Sequence, residues 1–229
     1  MNVINFKQLD STSIYARNNA ATLPLPSLIT ADYQMAGRGR RGNSFYSPDG
    51  TGLYMTLLFE AKNDLPLITP AAAVAVCKSI KDFFGIDTKI KWVNDIFLNG
   101  KKVCGILSEC ILINGKKLIA VGIGINLTTA EFPESLPNAG SIGADCNKAL
   151  LAEKISENIL EHAANPDNST VLEEYRKRLF VIDKKISFFE NNIRYTAIVN
   201  DINDLCNLIV TTSDGETKTL SSGEISIIL

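Results

Sequence analysis

Three stretches of the chain repeat their apolar residues at the spacing of one helical face. A helix needs apolar positions three and four residues apart, so each stretch predicts an amphipathic helix packed on a core. Pro70 suits the first turn of the first helix, because its missing N–H would have no intrahelical partner there. The three stripes run over Val76–Phe84, Leu151–Ile159 and Leu172–Leu179.

Short apolar runs rich in β-branched and aromatic residues predict strands between these helices. Two of the runs face each other across Asn114-Gly115, and another hairpin is predicted at Asn99-Gly100, because Asn-Gly favours two-residue turns. The predicted strands are Leu25–Thr30, Leu53–Phe59, Lys89–Trp92, Ile106–Ile113 and Leu118–Ile125.

After Phe180 the pattern changes to short β-branched segments punctuated by turn residues such as Asn191-Asn192 and Asp214-Gly215. We therefore expect a larger domain over residues 1–181 and a small all-β module over residues 182–229, built as a barrel or a sandwich. Hairpins mixed with helices, followed by a β module, indicate an α+β fold rather than regular βαβ alternation.

Composition and charge narrow the classes of function. The formal net charge is −2 over 229 residues, and the pI of about 5.5 lacks the basic footprint of a nucleic-acid binder. The five cysteines form no Cys-x-x-Cys pair, and His162 is the one histidine. We expect reduced thiols, no zinc site, no signal peptide, no membrane partner and a cytoplasmic location.

The segment Gly37–Gly42 places three arginines among three glycines. Its glycine spacing matches a dinucleotide-binding loop, but residues 43–50 do not open the helix that such a loop requires. Glycines allow close approach of a ligand, and guanidinium groups bind carboxylates and phosphates. We interpret the loop as an anion-binding segment, with a solvated basic turn as the alternative.

Two further segments carry candidate chemistry. Lys91–Asp95 offers a lysine at the end of a strand, an amide suited to a base or a backbone contact, and a carboxylate suited to Mg²⁺. The alternating glycines of Gly122–Leu127 leave one sheet face bare. That face suits either a flat ligand or another backbone, and a tightly packed sheet is the alternative.

These segments, taken together and in order, resemble the biotin protein ligase family. Each fragment is modest alone, whereas the ordered set is specific and runs nearly the full length of the chain. The matching pieces are Leu9–Thr12, Gln34 with Gly37–Gly42, Lys91–Asp95, Lys102 with Gly105–Leu107, Gly122–Asn126 and Gly223–Ser226.

The resemblance implies a central mixed β-sheet flanked by helices, forming a catalytic biotin- and ATP-binding domain, and a small C-terminal SH3-like β-barrel. It also implies a two-step reaction that uses ATP and Mg²⁺. Biotin and ATP first form biotinoyl-5′-AMP, and a lysine of a biotin carboxyl carrier protein (an acetyl-CoA carboxylase subunit) then accepts the biotin. The sequence leaves a monomer and a homodimer open.

The resemblance further implies roles for individual residues. Lys102, Arg38 and Asp95 are expected to be catalytic, and Asp95 also to hold Mg²⁺ or meet the incoming amine. The residues expected to bind biotin are Ser11, Thr12, Ser13, Gln34, Arg38, Gly39, Arg40 and Lys102. Those expected to bind ATP or the adenylate are Arg40, Arg41, Asn94 and Asn126.

The chain departs from the family pattern at three positions: Val93 replaces a usual proline, Phe45 a frequent tryptophan and Ser13 a common asparagine. No stretch before the matching pieces has room for a helix-turn-helix, so we expect no DNA-binding or repressor role. A lipoate or octanoyl ligase is the alternative enzyme, and a catalytically silent small-molecule binder is the alternative of another class.

Overall fold

A mixed seven-stranded sheet forms the centre of the fold, as seen in a computed structural model that describes residues 1–228. The strand order is β1-β2-β3-β7-β6-β5-β4, in which β1 and β2 are parallel and all other neighbours are antiparallel. The strands are β1 Asn2–Leu9, β2 Ser27–Gln34, β3 Gly52–Glu60, β4 Lys89–Lys91, β5 Asp95–Leu98, β6 Lys101–Ile113 and β7 Lys116–Asn126.

Helices cover the sheet unequally, with four of them in residues 1–228. Helices α2, α3 and α4 enclose the main core, whereas α1 packs over a smaller apolar cluster that includes Ala16, Ile29 and Leu58. The spacing of apolar residues three and four positions apart predicted α2 to α4 correctly, because each helix buries one apolar face. Their bounds are α1 Thr12–Asn18, α2 Ile68–Phe84, α3 Lys148–Ala164 and α4 Asn168–Arg178.

The two predicted Asn-Gly turns connect β5 to β6 and β6 to β7. Asn99, Gly100, Asn114 and Gly115 all have positive φ, between 50° and 76°. Asparagine and glycine tolerate this region better than other residues, which explains why the sequence signal was correct. Strands β1 and β5 and helix α1 were not predicted.

A second, antiparallel sheet occupies the C-terminal part of the chain. Its five strands follow the order β11-β10-β9-β8-β12, and within residues 1–228 no pairing joins β11 to β12. The sheet is therefore open, and Leu229, the last residue of the predicted β module, lies outside the described residues. The strands are β8 Lys185–Glu190, β9 Ile193–Ile202, β10 Leu208–Thr212, β11 Thr217–Leu220 and β12 Ile225–Ile227.

The two sheets share one continuous apolar core. Ile186, Phe188 and Val199 of the second sheet belong to the same buried cluster as the strands and helices of the first. Trp92 is 4% exposed, and its Nε1 donates a hydrogen bond to the carbonyl oxygen of Cys206 at 2.7 Å. These contacts hold the second sheet against the first, and residues 223–227 line one cavity together with residues of β4 to β7. None of the helices within residues 1–228 is both long and apolar enough to cross a membrane.

Candidate functional site

A cavity of about 740 Å³ lies over the ends of β4 to β7. The arginine-glycine loop covers one side, and residues 135–139 form the opposite wall. Residues 223–227, which include β12, close a third side. The cavity thus collects segments that are far apart in sequence, and all three candidate segments of the sequence contribute to it.

The floor of the cavity is the bare glycine face of β6 and β7. A Cβ added to Gly124 would lie 2.4 Å from the Phe45 ring, and one added to Gly105 would lie 3.2 Å from it. A Cβ on Gly122 would lie 2.5 Å from Oγ of Ser13. The glycines are therefore required for close packing by Phe45 and Ser13, which themselves line the cavity beside the exposed part of this face.

One end of the cavity is neutral and rich in buried hydrogen-bonding groups. Ser11, Thr12, Ser13 and Gln34 are all at most 8% exposed, and all line the cavity. Ser11 is the N-cap of α1, but its side chain caps nothing, and its buried Oγ has no hydrogen-bond partner. Buried polar atoms rarely lack a partner, so this oxygen points to a polar ligand at this end.

The other end is cationic. Arg38, Arg40, Lys91 and Lys102 all line it, joined by Asp95. Nζ of Lys102 lies 2.7 Å from Oδ1 of Asp95. This contact is electrostatic rather than an aligned hydrogen bond, because the buried Oδ1 has no hydrogen-bond partner of acceptable geometry. Glu224 also lines the cavity, and four cations against these two carboxylates still favour an anionic ligand.

Burial shifts the titration of two of these cations. Burial, assisted by the neighbouring Arg41, lowers the pKa of Arg40, and burial also lowers the pKa of Lys91 against the attraction of Asp95. Both shifts mean that the charged forms are poorly solvated by their surroundings in the cavity. A bound anion would relieve that cost, so the shifts agree with the geometry.

Three polar contacts hold the arginine-glycine loop against the rest of the site. Nη1 of Arg40 donates to Oδ1 of Asn94 at 3.1 Å, and Nδ2 of Asn94 donates to the carbonyl oxygen of Ile106 at 2.8 Å. Nδ2 of Asn43 donates to Glu224 at 2.7 Å, which links the loop to the second sheet. Besides these bonds from Arg40 and Asn43, the third contact of the loop is an ion pair of 3.6 Å between Arg38 and Glu109.

The structure brings most of the predicted site residues together and leaves two of them out. Arg41 has a φ of 54°, is exposed, and does not line the cavity. Asn126 is buried behind the wall, where its Nδ2 donates to the carbonyl oxygen of Gly140 at 2.9 Å. The predicted residues that do line the cavity are Ser11, Thr12, Ser13, Gln34, Arg38, Gly39, Arg40, Asn94, Asp95 and Lys102.

Sequence reasoning missed one wall and two supporting hydroxyls. Residues 135–139 carry no recognisable motif, and they reach the cavity because the backbone N–H of Lys102 donates to the carbonyl oxygen of Asn138 at 2.7 Å. Thr56 and Ser47 are buried behind Ser13 and Gln34. Only the three-dimensional contacts reveal them, since an ordinary strand threonine or turn serine gives no signal.

A protein-only metal cage is absent from the described part of the chain, where no three acidic, cysteine or histidine side chains cluster. Mg²⁺, however, is commonly held by one or two carboxylates together with substrate phosphates. The carboxylate of Asp95 lines the cavity, where its Oδ1 faces Nζ of Lys102 at 2.7 Å, and its chemistry suits such a shared ion. Asp95 therefore fits the predicted Mg²⁺ role.

Comparisons with known sequences agree with this geometry. Residues 5–126 match the model of the biotin/lipoate A/B protein ligase family, and residues 189–227 match the biotin protein ligase C terminal domain. The bifunctional ligase/repressor BirA of Bacillus subtilis is 41% identical over 129 residues, which cover 53% of this chain and 38% of that protein. The matched segment thus spans about two fifths of that relative.

A shorter relative and a solved structure extend the likeness. The biotin–[acetyl-CoA-carboxylase] ligase of Paracoccus denitrificans is 35% identical over 140 residues, which cover 58% of this chain and 55% of that protein. The biotin protein ligase of Aquifex aeolicus, solved in complex with biotin and ATP, superimposes with a TM-score of 0.82 at 25% identity. That likeness covers 99% of this chain and 98% of the other.

The family model covers more than half of the chain and includes the arginine-glycine loop, Lys91–Asp95, Lys102 and the glycine face. The same segments form the cavity. This chain belongs to the biotin/lipoate A/B protein ligase family.

Proposed function

We propose that this protein is an ATP-dependent biotin protein ligase. It joins biotin to ATP as biotinoyl-5′-AMP and then transfers the biotin to a lysine of a biotin carboxyl carrier protein. The observation that carries the proposal is the polarity of one continuous cavity. Its neutral end offers buried hydroxyl and amide groups, and its cationic end offers four side chains suited to a carboxylate and a phosphate.

The shape of biotin matches this division. Its cyclic urea is neutral and has both donors and acceptors, which Ser11, Thr12, Ser13 and Gln34 can satisfy. Its carboxylate, at the end of an apolar chain, would then lie at the cationic end beside Arg38, Gly39 and Arg40. The apolar chain would lie between the two ends, beside the Phe45 ring that packs on the glycine floor.

In the first step a carboxylate oxygen of biotin bonds to the α-phosphorus of ATP, and the bond from that phosphorus to the bridging oxygen breaks to release pyrophosphate. Such transfer is accelerated chiefly by positioning and by cations near the developing charge. Lys102 and the two arginines supply those cations. Mg²⁺ held beside Asp95 would add charge neutralisation on the phosphates. Asn94 acts by holding Arg40, as its 3.1 Å contact supports.

In the second step the neutral ε-amine of the carrier lysine bonds to the acyl carbon of the mixed anhydride. The acyl–oxygen bond breaks, and AMP leaves with the electron pair. Asp95, which lines the cavity beside Lys102, would receive the proton of the amine. We further infer that Arg41 and Asn126 contribute to the nucleotide side only after the loop or the wall moves, because neither lines the cavity.

The decisive experiment incubates the protein with ATP, Mg²⁺, labelled biotin and a biotin carrier domain. Label on a single carrier lysine, with pyrophosphate released in proportion to biotin, is the expected result. A carrier variant whose acceptor lysine is replaced by arginine is the control for non-enzymatic acylation. Absence of both label and pyrophosphate under conditions where the protein is folded would contradict the proposal.

A lipoate or octanoyl ligase is the second candidate, because the matching family model includes lipoate ligases. The buried hydroxyls at the neutral end favour biotin, since the dithiolane ring of lipoate has no N–H or C=O to satisfy them. Pyrophosphate release with lipoate and none with biotin would reverse the assignment.

Several finer features belong to the same proposal. We infer that the open C-terminal sheet is the SH3-like barrel that the family resemblance implies, with the boundary between the domains at residues 181 and 182. The match of residues 189–227 to the family's C-terminal domain supports this inference. A cytoplasmic location is supported by five cysteines that form no disulfide in the described chain. The homodimer stays a prediction that light scattering tests.

A further inference from the structure

A chain of buried hydrogen bonds runs behind the neutral end of the cavity. It connects five side chains that are each at most 8% exposed and ends on a backbone carbonyl three residues beyond the arginine-glycine loop. In order, its members are Ser13, Thr56, Thr12, Gln34, Ser47 and the carbonyl oxygen of Phe45. Hydroxyl and amide groups can each point two ways, so the direction of such a chain decides what it presents to a ligand.

One end of the chain sets the orientation of Gln34. The backbone N–H of Thr12 can only donate, and it donates to Oε1 of Gln34 at 2.9 Å. The amide nitrogen of Gln34 must therefore face Ser47, to whose Oγ it donates at 2.8 Å. Ser47 donates its single hydroxyl hydrogen to the carbonyl oxygen of Phe45 at 3.0 Å, because a carbonyl oxygen can only accept.

The count of hydroxyl hydrogens then sets the direction of the other half. Thr12 donates its one hydroxyl hydrogen to Oε1 of Gln34 at 3.2 Å, and Thr56 donates its own to Thr12 at 2.8 Å. Thr56 has no second hydrogen for Ser13, whose Oγ lies 3.2 Å away. Ser13 must be the donor in that contact, and it keeps only lone pairs for the cavity.

We propose that Thr56 determines the head-group specificity of this enzyme by making Ser13 an obligate hydrogen-bond acceptor. Thr56 is fully buried and does not line the cavity, so it is a positioning residue that acts through Ser13. The inference rests on the proposed function, because it concerns the substrate end of the same site. It requires a head group that offers an N–H to Ser13, which a cyclic urea does and a ring oxygen or sulfur does not.

The glycine face supports this arrangement sterically. A Cβ on Gly122 would lie 2.5 Å from Oγ of Ser13, closer than real side chains approach. The hydroxyl of Ser13 can therefore reach Thr56 only because residue 122 is glycine. The rotamer of Ser13 and its hydrogen-bond partner are thus both determined by buried neighbours rather than by the ligand.

The test replaces Thr56 with valine, which keeps the shape and removes the hydroxyl. In T56V the hydroxyl hydrogen of Ser13 has no acceptor and is free to point into the cavity. Calorimetric affinities are measured for biotin and for two cyclic-carbamate analogues, in each of which oxygen replaces one of the two urea N–H groups. The larger of the two biotin-to-carbamate ratios is the measure of selectivity.

In the wild type we expect biotin to bind at least roughly tenfold better than one of the two carbamates. In that carbamate the ring oxygen faces Oγ of Ser13, and neither acceptor finds a hydrogen. We expect T56V to weaken biotin binding by roughly tenfold to hundredfold and to reduce the selectivity ratio towards one. T56S, which keeps the hydroxyl and loses only a methyl group, should restore both. If Thr56 acted through packing alone, T56V, which keeps the shape, would retain biotin binding, and T56S, which loses a methyl group, would weaken it.

Ser47→Ala is the matched control. It breaks the chain on the other side of Gln34, where Oε1 is still held by the N–H of Thr12. We expect S47A to weaken biotin binding while keeping the selectivity ratio of the wild type. Urea unfolding of each variant checks that the fold is retained. If T56V does not fold, T56C, whose sulfur is a weaker acceptor for the hydroxyl hydrogen of Ser13, should give an intermediate ratio.

The outcomes separate the two proposals. If the wild type binds biotin and a folded T56V or T56C variant keeps the full selectivity ratio, the role of Thr56 is refuted and biotin ligation stands. A wild type that selects neither carbamate against biotin refutes the acceptor role of Ser13 in the same way. If the wild type binds no biotin, the proposed function falls, and this inference falls with it.

Discussion

Replacing Gly124 with alanine tests whether the Phe45 ring must rest on the bare glycine face. The added Cβ would lie 2.4 Å from one ring carbon and 2.8 Å from two others. Ordinary carbon contacts need at least 3.4 Å, so the ring must retreat by about 1 Å. Because Phe45 closes the arginine-glycine loop through its N–H bond to the carbonyl oxygen of Gly37 at 2.8 Å, the loop must shift with it.

The expected cost follows from overpacking of a buried contact, which typically destabilises by about 1–3 kcal/mol. Part of that cost will appear as a lower free energy of unfolding. The rest will appear as weaker biotin binding, because the displaced ring and loop line the cavity. A total of this size corresponds to a combined effect of about five- to 150-fold in the two equilibria.

Urea unfolding and calorimetric titration with biotin measure the two parts separately. Gly105→Ala is the graded control, because its Cβ would lie 3.2 Å from the same ring and a small shift relieves it. The double variant Phe45→Ala with Gly124→Ala removes the clashing ring. We expect it to lose much less than the sum of the two single variants, as coupled neighbours do.

Two results would refute the reasoning. Additive effects of Phe45→Ala and Gly124→Ala would mean that ring and glycine do not contact each other. Equal losses in the Gly105 and Gly124 variants would mean that the distance to the ring does not govern the cost.

Three other predictions address chemistry, stability and pH. Lys102→Ala should lower pyrophosphate release in the adenylation assay by about 10²–10³-fold, the effect of losing one preorganised cation; unchanged turnover would contradict its role. Trp92→Phe should lower the free energy of unfolding by about 1–3 kcal/mol, because the buried carbonyl of Cys206 loses its donor; a wild-type urea midpoint would show that the bond is dispensable. Asp167 caps α4 by accepting hydrogen bonds from the hydroxyls of Ser169 and Thr170 and from the N–H of Thr170, and these bonds lower its pKa from 3.8 to about 2. The folded state therefore favours the carboxylate, and the stabilisation is present above pH about 4 and lost as pH falls towards about 2. The difference in urea midpoint between wild type and Asp167→Asn should shrink over that range, and a constant difference would argue against the carboxylate.

Local signals were sufficient for much of the fold. Helical stripes predicted α2, α3 and α4, and Asn-Gly pairs predicted two hairpins, because these features depend on neighbours in the sequence. Helix α1 was missed, since its seven residues give too short a stripe to recognise. Strand β1 was missed as well, because at the edge of the sheet none of its residues is fully buried and apolar Val3 is exposed beside Ile4, so apolar and polar residues do not alternate in the sequence.

The candidate site divides in a similar way. Ten of the predicted residues line the cavity, because the ordered set of motifs is specific to a family whose fold brings them together. Asn126 belongs to the same motif as Gly122 and Gly124, yet it lies behind the wall. A motif shows that residues are near the site, whereas the facing of each side chain depends on strand register and on the neighbouring loops.

By itself the sequence determined the α+β class, most helices and hairpins, and the kind of chemistry that arginines, lysine and glycines allow. Only the tertiary structure decided which hydroxyl of the neutral end accepts and which donates. That direction depends on two buried hydroxyls that are distant in sequence from their partners. Thr56 lies 43 residues from Ser13 and accepts its hydroxyl hydrogen. Ser47 lies 13 residues from Gln34 and accepts from its amide nitrogen. Hydrogen-bond polarity depends on every group in contact, and such contacts exist only after the chain has folded.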